Sequence, residues 1–245
     1  MKIQLDILRR EAAGAEPYWQ SFMYETEDEN ATAATALREL ETTPELRDID
    51  GKPAAPVRWE CSCMQKKCGA CAMIINGKPV LACSYQLRQA EGGKVRLEPL
   101  SKFPVIADLI ADRTPMLEAL REMRLWLNER TKADETVNHI AYDASRCLQC
   151  GLCLEVCPNF YTGGRFPGMA AAVPAARLIS VLPESQQAEL YRAYRRGIYE
   201  GCGKSMACRN VCPAGIDIEG LLVSSNAAAV WKRRIFRKKD SGGSR

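Results

Sequence analysis

Histidine is almost missing: the chain of 245 residues has one, His139. With a single imidazole, mixed Cys/His zinc sites and Rieske clusters, which need two histidines on one iron, are nearly excluded. His139 itself reads as a surface or packing residue rather than a ligand. No apolar run approaches the roughly 18–20 residues that cross a bilayer. The first ten residues alternate apolar and polar and lack the basic, apolar and small-residue regions of a signal peptide. The chain is therefore expected to begin near Met1 and to stay inside the cell. Internal repeats and low-complexity segments are also lacking. Net charge is only +4, and it is unevenly spread: residues 232–245 hold seven basic residues and one acid, or +6, which leaves −2 for residues 1–231. The body is not a nucleic-acid surface, and no nucleic-acid partner is expected. In the tail, Trp231 and Phe236 stand among Lys232, Arg233, Arg234, Arg237, Lys238 and Lys239. It is a solvated charged end, or a contact with anionic headgroups or a membrane-anchor subunit; nucleic-acid binding is a third reading that no fold motif accompanies.

Cysteine is what the chain has in excess: there are 12. Disulfides are not expected in a chain that is neither short nor secreted. Thiolates in closely spaced runs favour iron–sulfur clusters, with zinc as the alternative metal.

The first hundred residues predict a small α/β domain. Lys2 to Leu8 alternates, with Ile3, Leu5 and Ile7 on one side of a half-buried strand. A second strand is expected over Tyr18 to Tyr24, and a helix over Ala31 to Leu40. Residues 72–75 and 78–82 flank Asn76-Gly77, a strong hairpin signal, since this pair supplies the positive φ of a two-residue turn. Val95 to Leu97 predicts one more strand. Beyond Ser101 helices dominate: Thr114 to Arg130, with Leu117, Leu120 and Leu127 on one face, then Pro174 to Leu182 and Glu184 to Tyr199. The boundary is expected near residue 104. The domains are then 1–104, holding the first five cysteines, and 105–245, helical, holding the other seven and the basic tail.

The cysteines fall into three groups. Cys63-x4-Cys68-x2-Cys71 followed by the distant Cys83 is the plant-type [2Fe–2S] spacing. The hairpin folds the chain back, so that Cys83 returns beside Cys71. A structural zinc knuckle is the competing reading of this group. Cys61 is spare, because pairing it with Cys68 breaks the spacing. The second group, Cys147-x2-Cys150-x2-Cys153-x3-Cys157-Pro158, is the bacterial ferredoxin run, whose fourth cysteine ligates the other cluster. The third, Cys202-x5-Cys208-x3-Cys212-Pro213, has the same frame with Ser205 where a cysteine would stand. Cys147, Cys150, Cys153 and Cys212 then make a complete set for [4Fe–4S]. Cys157, Cys202 and Cys208 make a set of three, which suits [3Fe–4S]; ligation of a fourth iron by Ser205 is the alternative.

The whole arrangement resembles the iron–sulfur subunit of the succinate dehydrogenase/fumarate reductase family. The likeness runs through Arg58-Trp59, Cys-Gly-Ala-Cys-Ala-Met at 68–73, Leu-Ala-Cys ending at Cys83, Pro-Leu-Ser-Lys-Phe-Pro-Val-Ile-Ala-Asp-Leu at 99–109, and both Cys-Pro motifs in order. It implies an α+β chain with a β-grasp, plant-type ferredoxin domain followed by an all-α helical ferredoxin domain. It also implies a flavoprotein partner with covalent FAD, where succinate and fumarate interconvert. Electrons then pass through [2Fe–2S], [4Fe–4S] and [3Fe–4S] to a membrane quinone, with membrane-anchor subunits as further partners. The subunit would sit peripherally on the cytoplasmic face of the cell membrane and would carry no substrate site of its own. Two places depart from ubiquinone-linked members, which carry a Trp and a His where this chain has Thr162 and Gly203. The departures lean toward menaquinone-linked fumarate reduction. The competing function is a soluble electron-carrier subunit of another flavoenzyme or of a hydrogenase.

Overall fold

A computed structural model describes residues 1–127, 139–183 and 186–231. Two compact units emerge: Met1–Arg113 with Cys150–Glu155, and Thr114–Gln149 with Val156–Arg245. The division falls after Arg113, not near residue 104, because the segment from 105 to 111 is tied into the first unit by buried charge.

The first unit is built on a mixed sheet. Strand β1 (Lys2–Arg9) buries Ile3, Leu5 and Ile7 as its alternation requires. It pairs antiparallel with β2 (Tyr18–Glu25), Ile3 opposite Tyr24 and Leu5 opposite Phe22. Helix α1 (Ala33–Thr42) follows, two residues later than the sequence predicts. Thr32 and Thr35 form a reciprocal capping box at its start, and Ala33, Ala34, Ala36, Leu37 and Leu40 are its buried face. Strands β3 (Ala72–Ile75) and β4 (Lys78–Leu81) form the predicted hairpin, with Asn76 and Gly77 both at positive φ. Strand β5 (Lys94–Glu98) runs parallel to β1 and antiparallel to β3, which gives the order β2-β1-β5-β3-β4. Strands β6 (Val105–Ala107) and β7 (Ile110–Ala111) make a short separate pair.

Asp108, in the β6–β7 turn, is the polar centre of this unit. Its carboxylate is 1% exposed and accepts from Arg9 Nε at 3.0 Å, Arg58 N at 2.9 Å, Arg58 Nε at 3.2 Å and Arg10 N at 3.0 Å. Arg9 is 2% exposed and also donates to Gln20 and to the carbonyls of Ala55 and Pro56. Burial alone would raise the Asp108 carboxyl, but these donors outweigh it and hold it below the usual carboxylate range. Removing one member of a buried pair strands the other, at a cost of roughly 3–5 kcal/mol. Asp108→Ala is therefore expected to lower the stability of the chain by about that much, read by thermal or denaturant unfolding. Because the folded pKa is depressed, this stabilisation is present above the unfolded carboxylate pKa of about 3.9 and is lost as pH falls through the lower folded value.

The second unit is helical. Helix α2 (Thr114–Glu122) is shorter than predicted, since Arg124 takes a positive φ and ends it; residues 128–130 lie outside the described residues. The expected leucine stripe is not its buried face: Leu117 and Leu127 are exposed, and Met116 and Met123 are buried instead. Helix α3 (His139–Ser145) begins with an exposed His139. The short helix α4 (Leu152–Glu155) belongs to the first unit, where Glu155 accepts from the Ser101 hydroxyl and from Lys102 N–H. Helix α5 (Met169–Val181) is buried along most of its length and starts five residues before its expected start, so that Pro174 lies inside it. Helix α6 (Gln187–Tyr194) widens into a π-helical turn, Arg195–Tyr199; the expected start at Glu184 lies outside the described residues. Helix α7 (Ile218–Asn226) is capped by Asp217, and its Asn226 accepts a hydrogen bond from the buried Tyr194 hydroxyl at 2.9 Å. The basic tail, residues 232–245, lies outside the described residues.

Candidate metal centres

The loop from Cys61 to Cys71 leads into β3. Met64, Lys66 and Gly69 stand at positive φ. A chain bent this way aims successive N–H groups inward and makes an anion-binding concavity. Here the anions it fits are sulfurs. Gln65 N and Lys67 N lie 3.3 and 3.2 Å from Cys63 Sγ, Lys66 N lies 3.3 Å from Cys83 Sγ, and Ala70 N lies 3.5 Å from Cys68 Sγ. The hairpin register brings Cys83 back, with Ala72 opposite Leu81 and Ala82 N donating to Cys71 O at 2.9 Å. Cys68 is beside Cys63, and Cys83 is beside Cys71.

The two pairs are electrostatically unlike. The N–H groups of Gln65 and Lys67 draw the Cys63 thiol down to about 7. Burial pushes Cys71 up to about 12. A thiolate at Cys71 is costly without a cation, and iron supplies one, so the donor set fits a cluster better than it fits four thiols. Cys61 differs from all four. It is an exposed residue whose sulfur is partly desolvated, and that desolvation with the nearby Glu41 carboxylate raises its thiol. Arg113 braces the loop from outside. Its guanidinium donates to Ala70 O at 2.6 Å and pairs with Glu60 at 3.4 Å.

In the helical unit, Cys147 lies beside Cys212. Burial raises the Cys147 thiol first, and the Cys212 charge adds to that. Cys208 lies beside Cys157 and Cys202, again raised first by burial and then by those two neighbours. Each grouping has a polar tie. Asp143 holds Arg146 and accepts from Asp217 N at 2.9 Å, while Arg146 donates to Gly215 O at 3.1 Å. This joins the end of α3, just before Cys147, to the loop after Cys212. Asn159 donates to Gly201 O at 2.8 Å, joining the Cys157 turn to the residue before Cys202. The π-helical turn after α6 delivers Cys202, whose N–H bonds Ile198 O at 2.9 Å. Cys150 is buried and Cys153 half-buried on the segment that goes with the first unit. Ser205 is exposed between Lys204 and Met206, both at positive φ.

No disulfide joins any of the twelve cysteines. Among the described residues no three His, Cys, Asp or Glu side chains converge on one metal ion; the thiolates of a cluster are shared among several irons, at most two to each, and do not converge on a point. The tying residues Asp143, Arg146, Asn159 and Arg113 escape sequence reasoning. The only signal for most of them is that a polar side chain stands within a few residues of a cysteine.

Residues 4–118 match a family model described as a 2Fe-2S iron-sulfur cluster binding domain, and residues 143–216 match a 4Fe-4S dicluster domain. The succinate dehydrogenase iron-sulfur subunit of Bacillus subtilis is 32% identical over 235 residues, covering 91% of each chain. The fumarate reductase iron-sulfur subunit of Escherichia coli O157:H7 is 31% identical over 199 residues, 77% of this chain and 76% of that protein. A chain of the Mycobacterium smegmatis Sdh1 complex in the apo form shares the fold, with a TM-score of 0.70 at 20% identity over 92% of this chain and 96% of that one.

Proposed function

The chain belongs to the succinate dehydrogenase/fumarate reductase iron–sulfur subunit family and is an electron-transfer subunit, and from this we propose a relay of three clusters with a definite ligand set for each. Cys63, Cys68, Cys71 and Cys83 hold [2Fe–2S]. Cys147, Cys150, Cys153 and Cys212 hold [4Fe–4S], and Cys157, Cys202 and Cys208 hold [3Fe–4S]. When bound, the clusters supply one-electron redox chemistry. The chain's own part is to present thiolates, aim N–H groups at them and keep water away. The strand order with α1 beside it supports a β-grasp reading of the first unit, and the second is read as a helical ferredoxin domain.

The partners in this reading are a FAD flavoprotein, where succinate and fumarate interconvert, a membrane anchor and a quinone. The subunit sits peripherally on the cytoplasmic face of the cell membrane. No helix among the described residues is long and apolar enough to cross a membrane. Menaquinone-linked fumarate reduction is the favoured direction. A Cβ at Gly203 would stand 2.9 Å from the Asn159 amide, which bonds Gly201 O. Any side chain there, a histidine included, would require the Asn159 amide to shift, so Gly203 suits this Asn159 tie.

The observation that carries the ligand sets is the crossed grouping of thiols: Cys147 with Cys212, and Cys208 with Cys157 and Cys202. The last cysteine of each run stands with the other run. Cys212→Ala is accordingly expected to remove the [4Fe–4S] component from the Mössbauer spectrum of the purified chain and to leave the [3Fe–4S] component. Loss of the [3Fe–4S] component alone would put Cys212 with Cys202 and Cys208 and end this reading.

A further inference from the structure

Pro174 stands inside α5, where most prolines are excluded. It has no N–H, so the carbonyl of Ala170, four residues earlier, loses its helical donor. Ala170 is 3% exposed, and water cannot serve that oxygen freely. A buried carbonyl left unpaired is costly. The donor that reaches it is Nε2 of Gln149, at 2.9 Å. The same nitrogen lies 3.3 Å from Cys147 Sγ. A primary amide has two hydrogens on that nitrogen, one for each acceptor. Both neighbours are acceptors, which fixes the amide with nitrogen toward them. At the other end, Gln149 Oε1 is buried with no hydrogen-bond partner, so the orientation of the amide is set by its nitrogen. Gln149 also holds a positive φ of 49°, which costs a non-glycine residue on the order of 1 kcal/mol. The backbone strain and the unpaired oxygen are both tolerated, and the two hydrogen bonds from Nε2 are what they are tolerated for.

We propose that Gln149 is a positioning and potential-tuning residue for Cys147, latched in place by the carbonyl that Pro174 leaves open. The proposal rests on the reading of Cys147 as a [4Fe–4S] ligand. Hydrogen bonds to cluster sulfur and the net charge of the site set the reduction potential. An added electron makes the site more negative and strengthens an N–H···S bond, so the donor favours the reduced form. Gln149 is an unspecified position between Cys147 and Cys150, and Pro174 lies outside every cysteine run. The proline supplies a feature that a regular helix lacks, a buried carbonyl free to orient a side chain from outside the helix.

The test is the midpoint potential of the [4Fe–4S] cluster, from an EPR-monitored redox titration of the full-length, cluster-loaded chain. Gln149→Leu keeps the bulk and removes both donors. The ratio of reduced to oxidised cluster at a fixed ambient potential is expected to fall about tenfold, equal to about 59 mV for one electron, with the [2Fe–2S] potential unchanged. Where Leu at this position costs the cluster, Gln149→Met keeps the length of the side chain without its donors and is read instead. Pro174→Ala returns an N–H to the helix, which competes for Ala170 O and loosens the latch. It is expected to shift the ratio in the same direction by less, with iron content kept. A [4Fe–4S] potential equal to wild type in a loaded Gln149 variant overturns the tuning role. Failure of both Gln149 variants to load, together with a wild-type potential in Pro174→Ala, overturns it equally. Cys147→Ser separates this from a failure of the ligand reading: if the [4Fe–4S] spectrum survives that change, the ligand assignment is at fault and not the latch alone.

Discussion

Cys63→Ser is expected to abolish the [2Fe–2S] signal, while Cys61→Ser leaves it at full intensity. The two cysteines are separated by one residue, so composition and position along the chain barely distinguish them. Geometry does. Cys63 Sγ sits in the loop concavity, within 3.2–3.3 Å of the N–H groups of Lys67 and Gln65, and those donors draw its thiol down to about 7. Such a thiol is about half thiolate at neutral pH, far more than an ordinary cysteine, and ready to bind iron. Cys61 is exposed, and its thiol is raised by partial desolvation and by Glu41. Moving the ligand from Cys63 to Cys61 would abandon the prepared donors. The readout is the EPR spectrum of the reduced chain with iron counted per chain. Loss of the signal in Cys61→Ser with survival in Cys63→Ser would reverse the assignment.

The features legible in the sequence are those with short-range causes. Asn76-Gly77 announces the hairpin because two positive φ angles in sequence demand that kind of residue. The alternation of β1 is legible because period two and a one-sided core are the same fact. The cysteine spacings are legible because a cluster limits how much chain can lie between its ligands. What escapes has long-range or compensating causes. Arg9 and Asp108 are 99 residues apart, and nothing local marks either as buried. The alternation of β1 even puts Arg9 on the core side, a place that looks wrong until Asp108 is known. Pro174 reads as a helix start, because the rule that excludes interior prolines assumes that the stranded carbonyl finds no donor; Gln149 provides one. The α2 stripe fails for another reason. Arg124 ends the helix early, and Met116 and Met123 supply the buried contacts that Leu117 and Leu127 were expected to make. Cys150 and Cys153 fall with the first unit through Glu155, whose acceptors serve Ser101 and Lys102 more than 50 residues away.

Ser205→Cys is expected to turn the proposed three-iron cluster into a four-iron one. The run from Cys147 to Cys157 supplies four thiols and the run from Cys202 to Cys212 supplies three. The crossed grouping leaves Cys157, Cys202 and Cys208 together, with Ser205 in the frame where a fourth thiol would stand. A serine hydroxyl ionises far less readily than a thiol and is a harder ligand than iron in a sulfide cluster favours, so on the proposed ligand set the corner iron is expected to be absent. The position itself accepts the change. Ser205 is exposed, between two residues already at positive φ, and a sulfur in place of its oxygen meets no buried neighbour that must move. The purified, oxidised wild-type chain should therefore show a [3Fe–4S] EPR signal of about one spin per chain. In Ser205→Cys that signal should vanish, with a second [4Fe–4S] component appearing in the Mössbauer spectrum and one more iron bound per chain. Cluster type helps set potential, and a [4Fe–4S] centre at the end of the relay should be harder to reduce, so quinone reactivity of the assembled complex should fall with it. Two [4Fe–4S] clusters in the wild type without added iron would mean that Ser205 ligates the fourth iron through oxygen, and the three-iron assignment would be wrong.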